Sequence, residues 1–469
     1  MHFWQSGIVV DLLILAGLLA AAALVIHGVG ALRRLAVPNA IVAGVLGLTL
    51  GPSGLELIPT DIESMKLIVY HAFAVMFIAV GLQAAPKQRK GGAAWSLAVG
   101  NATIGVVQAI VGLSLVALFY VLSQPLHPGF GLMLTLGFQQ GPGQALSLGG
   151  SWENLGLMPD GGQIGLIFAT LGFMYCIVIG IPLVAIARRR GLITPEEEVP
   201  PAADVPIAER TTDRDDAAQP GPTPDVPGRN EPLSMQLIII GCVYLAVFGF
   251  ISGVIALIHP GDKLIATFWG MHFIVGSLLA IALRRTARRM GRDKPFNDTM
   301  LARISVVAVD ITTAGAFAAV ELEVLGTWLV PIVVMTAVTA VITLLGTLWL
   351  AKRAFPEASF SHALVLFGMG TGTVSTGLAL LRMLDPELRG TVARNSVIGA
   401  TASVPFNAPM FLFVIPFAVG RWSDDMLVAL GAPLAILAVY LVALLVSWRQ
   451  FTPLRLLRPL GSLWPRTPD

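Results

Sequence analysis

Run after run of about twenty residues is predominantly apolar, which is the length an α-helix needs to cross a bilayer core about 30 Å thick. Such runs lie near residues 8–29, 38–57, 66–85, 95–122 and 161–187, and again near 233–258, 264–283, 302–321, 327–350, 393–418 and 426–448. Only 12% of the 469 residues are charged and 55% are hydrophobic, against about a quarter charged in soluble domains. The expected fold class is therefore an all-α integral membrane protein. No Lys or Arg precedes the first run, so it lacks the charged start of a cleaved signal and is expected to remain as a helix.

Basic residues order these runs. Arg33 and Arg34 follow the first, Lys87, Arg89 and Lys90 the third, and Arg188, Arg189 and Arg190 the fifth. Arg284, Arg285, Arg288, Arg289 and Arg292 follow the seventh, Lys352 and Arg353 the ninth, and Arg449, Arg455 and Arg458 the last. The alternate loops carry almost none. Lys and Arg are retained on the cytoplasmic side, which predicts an outer N-terminus and a cytoplasmic C-terminus. It also requires two further apolar, Gly-rich segments, 129–150 and 359–383, to enter and leave on one side as re-entrant hairpins.

Residues 188–232 contain nine Pro, ten acidic residues and six Arg. That composition predicts a disordered cytoplasmic linker and divides the chain into a first membrane repeat, 1–187, and a second, 233–420. Each half holds four spans, a hairpin and a fifth span, and an odd number of crossings turns the second copy upside down. The hairpins correspond locally, Gly141-Pro142-Gly143-Gln144-Ala145 against Gly370-Thr371-Gly372-Thr373-Val374. An inverted repeat of two five-helix halves is expected, with an extra C-terminal helix and tail in 421–469.

Polar, Gly-rich backbone at membrane depth is tolerated only where protein buries it or a wet cavity receives it. The expected substrate-binding residues are therefore Gln140, Gly141, Gly143 and Gln144 on one hairpin and Gly370, Thr371, Gly372, Thr373 and Ser375 on the other. Helix-to-helix adhesion is the alternative use for such residues, but here they gather at both tips at once. Asp310 lies mid-span, where a carboxylate marks a functional position by default. Asp310, Thr313 and Asn407, the last between Pro405 and Pro409, are the expected ion-coupling residues. In the first half, Asn101, Thr103 and Gln108 are weaker candidates.

No catalytic residues are expected, because no nucleophile has a base in reach by spacing. The scattered histidines and Cys176 and Cys242 have no ligand spacing, so no metal site is expected. No GxxxxGK[ST] occurs for ATP, and no basic, aromatic surface for nucleic acid.

The stretches VPNAIVAGVLGLTLGP, FAVMFIAVGLQAA, LTLGFQQGPGQALSLGG and LVLFGMGTGTVSTGLALLRML resemble the second span, third span and two hairpins of the bacterial sodium–glutamate symporter (ESS) family. The resemblance covers most of residues 30 to 418. It implies an elevator-type secondary transporter of the bacterial cytoplasmic (inner) membrane, a homodimer, carrying a small anionic solute such as glutamate. It implies no cofactor, with sodium as coupling ion, and membrane lipid as the other partner. Where the family's first hairpin reads Gly-Gly-His-Gly-Thr-Gly, this chain reads Gln140-Gly141-Pro142-Gly143-Gln144-Ala145, and Asp310 stands where the family has no acid. Two alternatives follow: a cation/proton antiporter using Asp310, and a membrane-embedded sensor or enzyme with a regulatory linker.

Overall fold

The computed structural model describes residues 7–30, 32, 37–84, 92–194, 197, 232–259, 261–418, 425–450 and 464. Among them there are helices and no strands, and nine helices are long and apolar enough to cross a membrane. The helices of the first half are α1 (Gly7–Gly28), α2 (Asn39–Leu50), α3 (Ile62–Leu82), α4 (Ala93–Val121), α5 (Pro128–Phe138), α6 (Pro142–Asn154) and α7 (Gly161–Arg189). The second half has α8 (Pro232–Ile258), α9 (Asp262–Gly270), α10 (His272–Arg289), α11 (Asp298–Ala318), a short α12 (Leu322–Thr327) and α13 (Leu329–Ala354). It ends with α14 (Ser359–Gly370), α15 (Val374–Leu381), α16 (Thr391–Pro409) and α17 (Met426–Trp448). In each half two short helices stand between two long ones, α5 and α6 in the first and α14 and α15 in the second.

Three expected spans differ. The second is α2 alone, 12 residues, about 18 Å at 1.5 Å rise and too short to cross. It stops because Gly51 and Pro52 turn the chain back, so that Leu55 donates to the Thr49 carbonyl and Leu57 to that of Leu50. The seventh breaks at Met271 into α9 and α10, and α10 runs on through the arginine cluster. The fifth is one 29-residue helix with Pro182 inside it. The tenth keeps its path past Pro405 and Pro409 by widening into a π-turn at Met410–Val414 before Ile415–Ala418, the usual response to amides that prolines remove. Of the expected linker, 198–231 lies outside the described residues, as do Arg33, Arg34, Lys87, Arg89, Lys90, Arg455 and Arg458.

The packing pairs equivalent helices. α3 lies on α11; α3 touches α10 as α2 touches α11; α4 touches α16 as α13 touches α7; α1 packs on α2 as α8 packs on α10. α4 and α5 cross backbone to backbone, since a Cβ on Gly112 would stand 2.1 Å from the Gly131 carbonyl oxygen.

Hydrogen bonds gather the helix ends into two sets. At one end Lys66 reaches Glu321 at 3.1 Å, Gln163 accepts from the Glu321 amide at 3.1 Å, and Trp328 donates to Asp160 at 3.0 Å. At the other, Asp298 accepts from the Ala84 amide at 3.0 Å and Arg188 donates to the Met383 carbonyl at 2.8 Å. The long helices run between these two layers.

Asp61 starts α3 by accepting from the Ser64 amide at 2.9 Å, one of the four amides a helix start leaves free. That amide and the Ser64 hydroxyl hold the Asp61 carboxyl below the usual carboxylate range. Its contribution is therefore present above the ordinary carboxylate pKa and is lost as pH falls through the lowered one. Asp61→Ala should cost about 1 kcal/mol, read as a lower thermal midpoint at pH 7 and a smaller difference from wild type in strong acid.

Candidate functional site

Two helix pairs break inside the apolar body. α5 and α6 are separated by 139–141, and α14 and α15 by 371–373; the arms of each pair touch. Both breaks fall inside the expected hairpins. Pro142 starts α6 at the one position where a missing N–H costs nothing. Gly141 before it has φ 90° and ψ 172°, a conformation essentially open to glycine alone. In the second pair Thr373 and Thr376 form a capping box, with the Thr373 amide donating to Thr376 Oγ1 at 2.8 Å.

The two breaks meet. A Cβ on Gly141 would lie 3.3 Å from Thr373 Cγ2. α7 passes directly beneath, where a Cβ on Gly172 would stand 2.7 Å from the Thr371 carbonyl oxygen and 3.3 Å from Phe138 Cα. The Cys176 thiol, one turn on, is within hydrogen-bonding reach of the Thr371 and Thr376 hydroxyls. At this meeting point α6 and α15 begin and α5 and α14 end. Helix starts present free amides and partial positive charge, and helix ends present free carbonyls and partial negative charge. Donors and acceptors are thus set side by side without a formal charge.

α4 holds both breaks. Its fully buried Gln108 donates through Nε2 to the Gly370 carbonyl at 2.6 Å and to Thr343 Oγ1 on α13 at 2.9 Å. Gln139 donates to the Asn101 carbonyl and to Asn101 Oδ1 at 3.1 Å, and Thr135 donates to the Gly105 carbonyl at 3.1 Å. Three amide atoms remain buried without a hydrogen bond: Gln108 Oε1, Gln139 Oε1 and Gln140 Nε2. Buried polar atoms are rarely left so, and all three belong to residues in the first break or bonded to the second.

The expected residues divide. Gln140, Gly141, Gly143, Gln144, Gly370, Thr371, Gly372 and Thr373 lie in or beside the two breaks, and Ser375 is exposed on the first turn of α15. The Thr371 hydroxyl is committed to the Phe367 carbonyl at 2.8 Å. Gln144 is buried, yet its amide bonds to no described residue. A Cβ on Gly143 would collide with the Phe73 ring at 2.3 Å, so glycine there serves close packing. Asp310, Thr313 and Asn407 are joined to neither break by a hydrogen bond or ion pair. Asp310 is half-buried and has no such partner among the described residues, and Val306 and Val307 one turn before it are 58% exposed.

Gln108 and Asn101 prove central, and Gln139, Thr343 and Gly172 join them. The available signal was a Gln or Asn in the middle of an apolar run. Among the described residues no group of three or more His, Cys, Asp or Glu could hold a metal. The start of α5 is capped by His127, whose Nδ1 accepts from the Gly129 amide at 3.0 Å. Burial pushes the pKa of this ring down to about 4, which keeps it neutral and able to accept. No protein-family model matches the chain, and no curated protein matches it.

Proposed function

We propose that this chain is an elevator-type secondary active transporter of the bacterial cytoplasmic membrane. It carries a small anionic solute of the glutamate or dicarboxylate class with sodium. The observation that carries the reading is the meeting of two broken helix pairs at Gly141 and Thr373, together with unpartnered buried amide atoms on Gln108, Gln139 and Gln140. Two helix starts aimed at one point attract negative charge, and broken helices at mid-membrane are how transporters present backbone groups to solutes.

A broken helix pair standing between two long helices in each half supports an inverted repeat whose breaks are re-entrant hairpin tips. The basic ends of α7, α10 and α13 support a cytoplasmic C-terminus and an outer N-terminus. On this reading α4–α7 and α13–α16 move together, α1–α3 and α8–α11 form the scaffold, and two copies associate through the scaffold. The Lys66–Glu321–Gln163 network joins scaffold to moving unit and must part during each cycle.

The half-buried, unpartnered Asp310 favours a second reading, cation/proton antiport, in which that carboxyl carries the proton. Uptake of radiolabelled glutamate into proteoliposomes, with sodium and proton gradients imposed separately, distinguishes the two. The expected result is sodium-driven uptake that Gln144→Ala abolishes and Asp310→Asn retains. Absence of uptake under either gradient sinks the glutamate reading. Sodium-dependent proton movement without organic solute, lost in Asp310→Asn, establishes the antiporter.

A further inference from the structure

The first arm of the second helix pair, α14, begins without a cap of its own. Its N-cap residue is Ala358, at φ 47°, which offers no side-chain acceptor. The acceptor comes from the segment joining the two halves. Glu197 Oε1 accepts from the Ser361 amide, in the first turn of α14, at 2.9 Å. The same carboxylate is held from its own side, where Oε2 accepts from the Thr194 amide at 2.8 Å and the Thr194 hydroxyl at 3.3 Å. Glu197 is only 5% exposed.

Its surroundings are aromatic. His362 is buried and stacked on Phe355 with ring centroids 4.1 Å apart. Trp464, far along the chain, meets Phe360 edge to face at 6.1 Å and lies under the Lys352 ammonium at 5.2 Å. A carboxylate out of water against a helix start is bound far more firmly than one at a surface. The equivalent arm in the first half needs no such help, because His127 caps α5 from within its own connection.

We propose that Thr194 and Glu197 form a clasp by which the connecting segment controls opening of the second hairpin, leaving the first hairpin independent. The acceptor lies 164 positions from the amide it caps, so the bond ties the start of the hairpin arm to the connecting segment rather than to the arm's own loop. The clasp rests on reading α14 and α15 as a moving element, but its test needs no solute and stands apart from any transport result.

The test is amide hydrogen exchange, read by mass spectrometry on the full chain in lipid nanodiscs. In Glu197→Ala, exchange across 359–381 is expected to rise about tenfold or more, with a smaller rise in Thr194→Ala and with 128–154 within about twofold of wild type. Glu197→Gln, which keeps the shape and removes the charge, carries the same expectation if the alanine variant does not fold. Unchanged exchange in 359–381, or equal acceleration of both hairpins, overturns the proposal.

Discussion

On the transporter reading, Gly141→Ala is expected to cut solute uptake sharply while the protein still inserts and folds. The backbone there, φ 90° and ψ 172°, is one that a Cβ makes costly by about 1–3 kcal/mol. The new methyl also points 3.3 Å from Thr373 Cγ2, into the gap between the tips. A closed tip-to-tip state has no slack to relieve either demand. Uptake is expected to fall by about tenfold or more, since each 1.4 kcal/mol is worth a factor of ten, with the thermal midpoint lowered by only a few degrees. Uptake at the wild-type rate in Gly141→Ala would falsify the assignment of this point as the solute path.

Gln108→Leu has the opposite signature, loss of stability before loss of chemistry. Gln108 and Gln144 are the same residue type and similarly buried, 0% and 3% exposed, yet their bonding differs. The Gln108 amide ties α4 to Thr343 and to the Gly370 carbonyl, and its removal strands a buried acceptor. Two lost bonds of this kind cost about 2–4 kcal/mol. The Gln144 amide bonds to no described residue, so Gln144→Leu should leave the thermal midpoint within about 0.5 kcal/mol of wild type while removing uptake. Thermal unfolding of the two leucine variants in one detergent settles the contrast. Equal destabilisation would mean that Gln144 is a packing residue as well.

Some of this architecture was legible one segment at a time. Residues 129–150 and 359–383 were identifiable as interrupted because Gly, Pro and polar side chains broke an apolar run, and the helices stop at Phe138 and Gly370 within those bounds. Other features were hidden for a stated reason. The run 38–57 holds one charge, Glu56 near its end, so hydropathy extends it past Gly51, where hydrogen bonds fold the chain back on Leu50. The run 264–283 carries no proline at Met271 to announce its break. Pro405 and Pro409 looked like an interruption, and the helix absorbed them in a π-turn.

The sequence by itself determined the membrane class and the two interrupted segments, because hydropathy and turn chemistry act over a few residues and do not depend on what lies across the fold. Only the tertiary structure decided that the two breaks touch, that Gln108 spans from α4 to α13 and Gly370, and that Glu197 caps a helix 164 residues away. Those choices are made by packing and by the need of buried amides for partners, and no local pattern states which distant group will supply them.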